Sequence, residues 1–488
     1  MKKLRIVCDG PPWKNIIIFL FPVILFLNIA VPPFQSPDEP HHFAMVMIYA
    51  RGEASREEVE RSVVEMMDRA NWWRLVGMGR PHVLPEKISD IDFLMDYHNT
   101  GDFRTRLGRS VLWHRIAGLG LRPIAGWSLT GLYYICRMVG AALFLTALIF
   151  LWKTLAILAS IFGQIIGRAF YLIMLLPQLL MTSVSVSPDS LVLVLSALFF
   201  YGAAALLAGQ GRARKPMGGK IGGHGQGWYA ALIVFPALMG LMTDRSAFFM
   251  AVLAVILPFL LMRRENWKSV AIMSLLGVVA AILLAYFAAL RFPLETERIV
   301  LNGKYVIGRA LKALPAMFAL DGFTRSYWTF MADGFLLKFG WLVFSPPRIV
   351  YYVWRILLAL SAAGLGVQAV RWAKLRIGKK YSNETAVGKW NWILLFGIAV
   401  FVQAAGIWIF YGAIHYFGQG RYFFPVIVPI AVFMVLGLSA IGNLVKRGTG
   451  RSFVAGMILA EFLLFVFSAW HDVVPAFHFI LQGPHPGV

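Results

Sequence analysis

The sequence predicts an all-α polytopic membrane protein, and three observations carry that reading. Of 488 residues, 59% are hydrophobic, more apolar surface than a water-soluble fold hides. The apolar residues fall in continuous runs, several near the roughly 20 residues that a helix needs to cross a hydrocarbon core. The formal net charge of +22 is concentrated between alternate runs instead of being spread along the chain.

In chain order the runs place about eleven spans, at 15–31, 128–151, 168–184, 190–209, 228–242, 246–262, 269–290, 349–370, 391–414, 422–442 and 452–470. The first has no small-residue cleavage site behind it and reads as a retained anchor. The short runs 228–242 and 246–262 read as two spans or as one re-entrant hairpin. The whole chain, 1–488, is then a single integral membrane domain.

With the N-terminus in the cytoplasm and the spans alternating, 22 basic residues fall in inner loops, among them Arg212, Arg214, Lys215, Lys220, Arg371 and Arg376, against few acids such as Asp9, Glu265 and Glu384. This is the positive-inside pattern of a multi-pass protein of a cell's inner or plasma membrane. It accounts for most of the positive charge without nucleic acid as a partner, and leaves membrane lipids as the surroundings. Cys8 and Cys136 fall in the cytoplasmic tail and in a span, so they do not pair, and no metal-ligand spacing exists.

Two extracytoplasmic loops are long, at 32–127 and 291–348. In the first, Glu57–Met67 has apolar residues at helical spacing and is followed by Trp72 and Trp73. It reads as a helix lying on the membrane or packed on other loops. Val111–Leu121 is a second short interfacial helix. The second long loop is rich in aromatics, including Trp328. The cytoplasmic loop 210–227 is Gly-rich and basic and reads as a flexible linker. Its Gly218-Gly219-Lys220 lacks the spacing of a phosphate loop.

The chemistry gathers on the outer side. Ser36-Pro37-Asp38-Glu39-Pro40-His41-His42 brings two carboxylates and two imidazoles to a membrane edge, where charge is costly and usually functional. The two prolines argue for a fixed turn. Adjacent carboxylates couple their titrations, which pushes one upward and suits it to act as a general base. The competing reading is a pair of acids capping a span. His42 reads as a hydrogen-bonding partner of these carboxylates. In Ser187-Pro188-Asp189-Ser190, Asp189 fits the first turn of the next helix, with orientation of an acceptor or a metal as its second reading. Asp244-Arg245 reads as an internal ion pair or, through Arg245, as a phosphate contact. Arg421, between Gly420 and Tyr422 at the start of a span, reads as a bidentate phosphate grip or as a snorkelling arginine. Gly418 and Gly420 suggest tight backbone near a ligand.

Pro37-Asp38-Glu39-Pro40-His41-His42-Phe43 resembles the Pro-Asp-Glu-Pro-x-His-Phe signature of the DUF2142 family of membrane proteins. The resemblance continues through Ser187-Pro188-Asp189-Ser190, through Thr243-Asp244-Arg245, where relatives often carry a Lys-Pro-like turn, through Ser326-Tyr327-Trp328 with Phe339-Gly340-Trp341, and through Gly420-Arg421-Tyr422-Phe423-Phe424-Pro425. That family is similar to the GT-C glycosyltransferases, which implies a GT-C-like fold and a polyprenyl-phosphate-linked sugar as donor. The implied reaction is an inverting transfer of a hexose or pentose to an extracytoplasmic glycan or glycolipid acceptor, in cell-envelope polysaccharide synthesis or modification. By position, Asp38 is the first choice as base and Glu39 the second, and both are candidate ligands of a divalent cation (Mg or Mn). His42, Asp189, Arg245, Trp328, Arg421 and Tyr422 are the substrate-binding candidates. The aromatics of 323–344 stack on sugar faces or form an interfacial belt. The alternatives are a flippase or transporter of lipid-linked saccharide, a non-catalytic assembly subunit, and a polymerase of repeat units. A transporter would want midplane charge and matching halves, and the sequence shows no repeat.

Overall fold

A computed structural model describes residues 20–31, 33–34, 39–52, 55–70, 111–212, 224–243, 247–261, 315, 317–319, 322–336, 347–377, 384–409, 419–446 and 448–468. Every regular element among these residues is helical. Asp38, Asp244, Arg245, Phe339, Trp341 and the expected span 269–290 lie outside them.

Four short helices come first among the described residues. Helix α1 (Phe21–Ala30) leads through Phe34 to α2 (Glu39–Arg51), then α3 (Arg56–Arg69) and α4 (Val111–Leu121). Glu39 and Pro40 of the motif, where a fixed turn is expected, are helical. Pro40 sits in the first turn of α2, where its missing N–H leaves no intrahelical bond unmade. Phe34 has φ +66°, and its N–H donates to the Tyr133 hydroxyl at 2.9 Å. The two expected loop helices both form. Val59, Val63, Val64 and Met67 of α3 are buried against Val46, Met47 and other α2 residues, so this helix packs on its neighbour.

The bundle follows. Helix α5 (Leu129–Phe162) is the longest, 34 residues capped at its start by Ser128, which accepts from the Gly131 amide. The expected span 168–184 is not one helix. A 3-10 turn (Gln164–Arg168) and α6 (Ala169–Met174) meet α7 (Pro177–Ser183) at a bend of 58°. Pro177 explains the break, because a proline disfavours helical backbone in the residue before it and has no amide to continue the ladder. Then come α8 (Asp189–Arg212), α9 (His224–Thr243), α10 (Phe248–Leu261), α11 (Gly322–Leu336), α12 (Arg348–Ile377) and α13 (Glu384–Ile407). A 3-10 turn (Gly420–Val426) runs into α14 (Ile427–Val445), and α15 (Gly450–Ser468) ends the described chain.

Among the described residues five helices are long and apolar enough to cross a membrane, or six if the bent pair counts as one span. They are α5, α8, α12, α13 and the turn with α14. The protein is thus a multi-pass helical membrane protein. Among the described residues α10 covers Phe248–Leu261, and α9 carries an apolar stretch at Ala231–Gly240.

The bundle core joins Phe144, Leu148 and Leu151 of α5 to Phe199 and Phe200 of α8, Phe396 of α13 and Val428, Val432 and Val435 of α14. Close backbone contact fixes the crossing of α12 on α14. A Cβ on Gly364 of α12 would overlap the Gly437 carbonyl of α14, and one on Gly437 would overlap the Ser361 carbonyl. Small residues at such crossings let helices approach where lipid supplies no hydrophobic drive. On α5, Gly140 similarly receives the 183–190 turn, whose Ser185 carbonyl lies 3.0 Å from where its Cβ would be.

Candidate functional site

The polar groups converge at one end of the bundle, where the first turns of α2 and α8, the second and third turns of α5 and the 3-10 turn before α14 meet. Glu39 is fully buried. Its Oε1 lies 3.2 Å from Arg137 Nε and accepts from the Val186 amide at 2.9 Å, and its Oε2 lies 3.4 Å from Arg137 Nη2. Arg137 is also fully buried. Its Nη1 donates to the Val31 carbonyl at 2.7 Å and to the Asn28 carbonyl at 3.4 Å. These are carbonyls at the end of α1, which have no intrahelical donor. The guanidinium also sits 4.8 Å from the centre of the Tyr133 ring. One ion pair therefore ties α1, α2, α5 and the turn before α8 together.

Reading α5 only as an apolar span missed Arg137. The available signal was its charge, because an ionisable residue inside an apolar run needs a partner and points to one. The same occupancy bears on Glu39 as a metal ligand. Both carboxylate oxygens are engaged, and a divalent cation there would meet the Arg137 charge. Glu39 does not fit a metal.

Asp189 opens α8, and the cap is its neighbour: Ser187 Oγ accepts from the Asp189 amide at 3.1 Å. The carboxylate of Asp189 is left to face Arg421, 3.2 Å from Nη1 to Oδ2. Arg421 is 6% exposed, so it does not snorkel into headgroups. It is held in the 3-10 turn by backbone packing. A Cβ on Gly420 would overlap the Phe335 amide and the Gly334 carbonyl carbon. Gly420 is thus small because α11 backbone lies against it, and not because a ligand does. The Gln403 side chain of α13 donates to the Tyr422 carbonyl, and Ser196 of α8 donates to the Pro425 carbonyl.

His42 takes a different partner from the expected carboxylates. Its Nδ1 lies 2.9 Å from Nε2 of His114 on α4, with the ring centroids 5.1 Å apart and the planes 25° apart. Burial, and the charges of His114, His41 and Arg421, hold its pKa well below the ordinary histidine value. His114 is 3% exposed. A lone histidine in a short helix gave no sequence signal, since only the packing of α2 on α4 brings the two rings together.

An aromatic wall adjoins Arg421. Trp328 of α11 lies over Trp408 of the turn that ends α13, with centroids 5.9 Å apart and planes 23° apart, and its indole N–H donates to the Met317 carbonyl at 3.3 Å. Tyr327 meets Trp408 edge-on at 5.1 Å. Tyr422 packs against this cluster, and the Arg421 guanidinium carbon lies 5.7 Å from the centre of its ring. Further along α11, Asp333 receives Arg355 of α12 in a bidentate pair at 2.9 and 2.6 Å, a second pairing that the sequence reading did not select. Of the expected site residues, the fold brings Glu39, His42, Asp189, Arg421, Tyr422 and Trp328 to this end. Asp38 and Arg245 lie outside the described residues.

A family model described as "Predicted membrane protein (DUF2142)" matches residues 19–430. The chain belongs to the DUF2142 family. The match spans the motif at the start of α2, the Asp189 turn and the Arg421 turn, so the described cluster of this DUF2142 protein lies within the family's own region. No curated protein and no solved structure matches the chain.

Proposed function

We propose that this DUF2142 protein is an inverting, GT-C-like glycosyltransferase that uses a polyprenyl-phosphate-linked sugar on the extracytoplasmic side of a cell's inner or plasma membrane. The observation that carries the reading is the Asp189–Arg421 pair. A nearly buried guanidinium faces the Asp189 carboxylate at the end of the bundle, beside an aromatic wall and the motif of α2. A guanidinium matches phosphate as well as carboxylate, and a fixed cation stabilises the charge that develops on a leaving lipid phosphate. Trp328 and Tyr422 lie where a flat apolar wall would hold a sugar or the lipid chain.

In this reading Asp38 is the base. It takes the proton from the acceptor hydroxyl, the oxygen attacks the anomeric carbon, and the bond from that carbon to the phosphate oxygen breaks with its electrons. Arg421 holds the departing phosphate. Glu39 anchors α2 through Arg137 and so sets the position of its neighbour in the chain. Arg245 is proposed as a further phosphate contact, and Asp189 as the group that orients Arg421 or the acceptor. The acceptor is a glycan or glycolipid.

The test is transfer from a radiolabelled polyprenyl-phosphate sugar in membranes containing the full chain. Asp38→Asn is expected to lower the rate by about 10²–10⁴ at unchanged protein level. Arg421→Gln is expected to raise the donor KM. Full activity in both variants would sink the assignment.

A further inference from the structure

The aromatic wall beside Arg421 does not end at Trp408. Trp328 donates its indole N–H to the Met317 carbonyl, and Met317 packs on the same cluster as Trp408 and Tyr422. The next residue, Phe318, lies against Phe401 of α13, with ring centroids 6.5 Å apart and planes 14° apart. Phe401 stands seven residues before Trp408. That spacing puts both on one face of the helix, about 10.5 Å apart along its axis. Leu394, another seven residues back, continues the face. Trp408 is buried, whereas Phe401 and Phe318 are 50% and 66% exposed.

The depth of this contact has a physical cost that the fold meets. Helix α13 is apolar and long enough to cross a membrane over Lys389–Ile407, and Phe401 lies about 9 Å inside its end at Ile407. Phe318 reaches that depth from a turn and not from a helix. Bare backbone polar groups are expensive in hydrocarbon. Here the Phe318 amide donates to the Pro315 carbonyl at 3.2 Å, and the Trp328 indole supplies the donor for the Met317 carbonyl. The outcome is a continuous apolar path with a cation at one end. It starts at Arg421, whose guanidinium lies beside the Tyr422 ring, passes Trp328 and Trp408, and emerges over Phe318 and Phe401. An amphiphile with an anionic head and a long hydrocarbon tail matches that order of chemistry. A sugar does not, because the side chains of Phe318, Phe401 and Leu394 offer it no hydrogen bond.

We propose that this face holds the isoprenoid chain of the donor, with the phosphate at Arg421 and the chain running past Trp328 and Trp408 and out across Phe318 and Phe401 into the bilayer. The aromatic wall then takes the lipid tail of the donor and not its sugar. Phe318 and Phe401 set how tightly a long-chain donor is held, since each buries apolar surface only against a chain that reaches it. The inference rests on the reading that Arg421 receives the donor phosphate.

The test is photolabelling of the full chain in lipid nanodiscs with geranylgeranyl phosphate that carries a diazirine on its last isoprene unit, read by peptide mass spectrometry. The label is expected on the segment 315–319 or on α13 between Leu394 and Phe401. Arg421→Gln is expected to lower that labelling about tenfold, through loss of a charge-assisted contact. Phe401→Ala is expected to raise the half-saturating probe concentration about tenfold. Phe235→Ala, at a comparably exposed position on α9, should leave it unchanged. Labelling confined to other segments, or unchanged half-saturation in monodisperse Phe401→Ala, would overturn the proposal and, with Arg421→Gln still impaired, leave the phosphate site standing. No labelling of the wild type, or equal labelling of Arg421→Gln, would overturn the phosphate reading and the proposal with it.

Discussion

Glu39 and Asp38 stand side by side in the chain, and their expected variants behave differently. Glu39→Gln leaves the Arg137 guanidinium buried without its counter-charge, which typically costs about 3–5 kcal/mol. We expect it to lower the midpoint of detergent or thermal unfolding sharply, whereas Asp38→Asn should leave that midpoint nearly unchanged and remove transfer. Similar unfolding midpoints for Glu39→Gln and wild type would show that the pair is not structural. His42 gives the residue scale its pH dependence. Its folded-state pKa is depressed by burial and by nearby positive charge, so below the ordinary value of about 6.5 the unfolded chain binds more protons than the folded one. Stability of the ligand-free protein should therefore fall as pH drops below about 6.5, down to the folded pKa. His42→Gln should flatten that fall, which melting curves across the range would read.

At the scale of elements, the fold rests on helices that approach through small residues. Gly420 lies against the backbone of α11, so Gly420→Ala must push the Arg421 turn away from α11. Overpacking of this kind costs about 1–3 kcal/mol, and here it also displaces Arg421. The expected outcome is a modest loss of thermal stability with a larger loss of donor affinity. If stability falls and affinity does not, Arg421 is not in the binding site. The α11–α12 contact is different. Arg355 is 39% exposed at its side chain, so Asp333→Asn should cost no more than about 1 kcal/mol. Among the described residues, most helices were legible in the sequence from their apolar runs, and α3 and α4 from their spacing. The break at Pro177 and the helical start at Pro40 were less so. The same residue that ends one helix opens another, and only its place in the hydrogen-bond ladder decides which.

For the molecule as a whole, the charge distribution predicts an orientation that labelling can test. Placing the N-terminus inside predicts that Trp127, 59% exposed just before α5, faces outward, and that Val445, 79% exposed at the end of α14, faces the cytoplasm. In a Cys8→Ser background, a membrane-impermeant maleimide should label Trp127→Cys in intact cells and Val445→Cys only after permeabilisation. The reverse pattern would turn the molecule over and move the proposed reaction to the other face.

The helical, membrane-spanning class was legible from the chain alone, because a hydrocarbon core demands long apolar runs and these are a local property of sequence. So were the acids and bases worth noticing near the ends of the apolar runs. Which of them pair was decided by the tertiary structure. Glu39 meets Arg137 and Val186, Asp189 meets Arg421, and His42 meets His114, across separations of 72 to 232 residues in the chain. Charged and imidazole groups act over a few ångströms, and no local pattern encodes a partner that only helix packing brings that near.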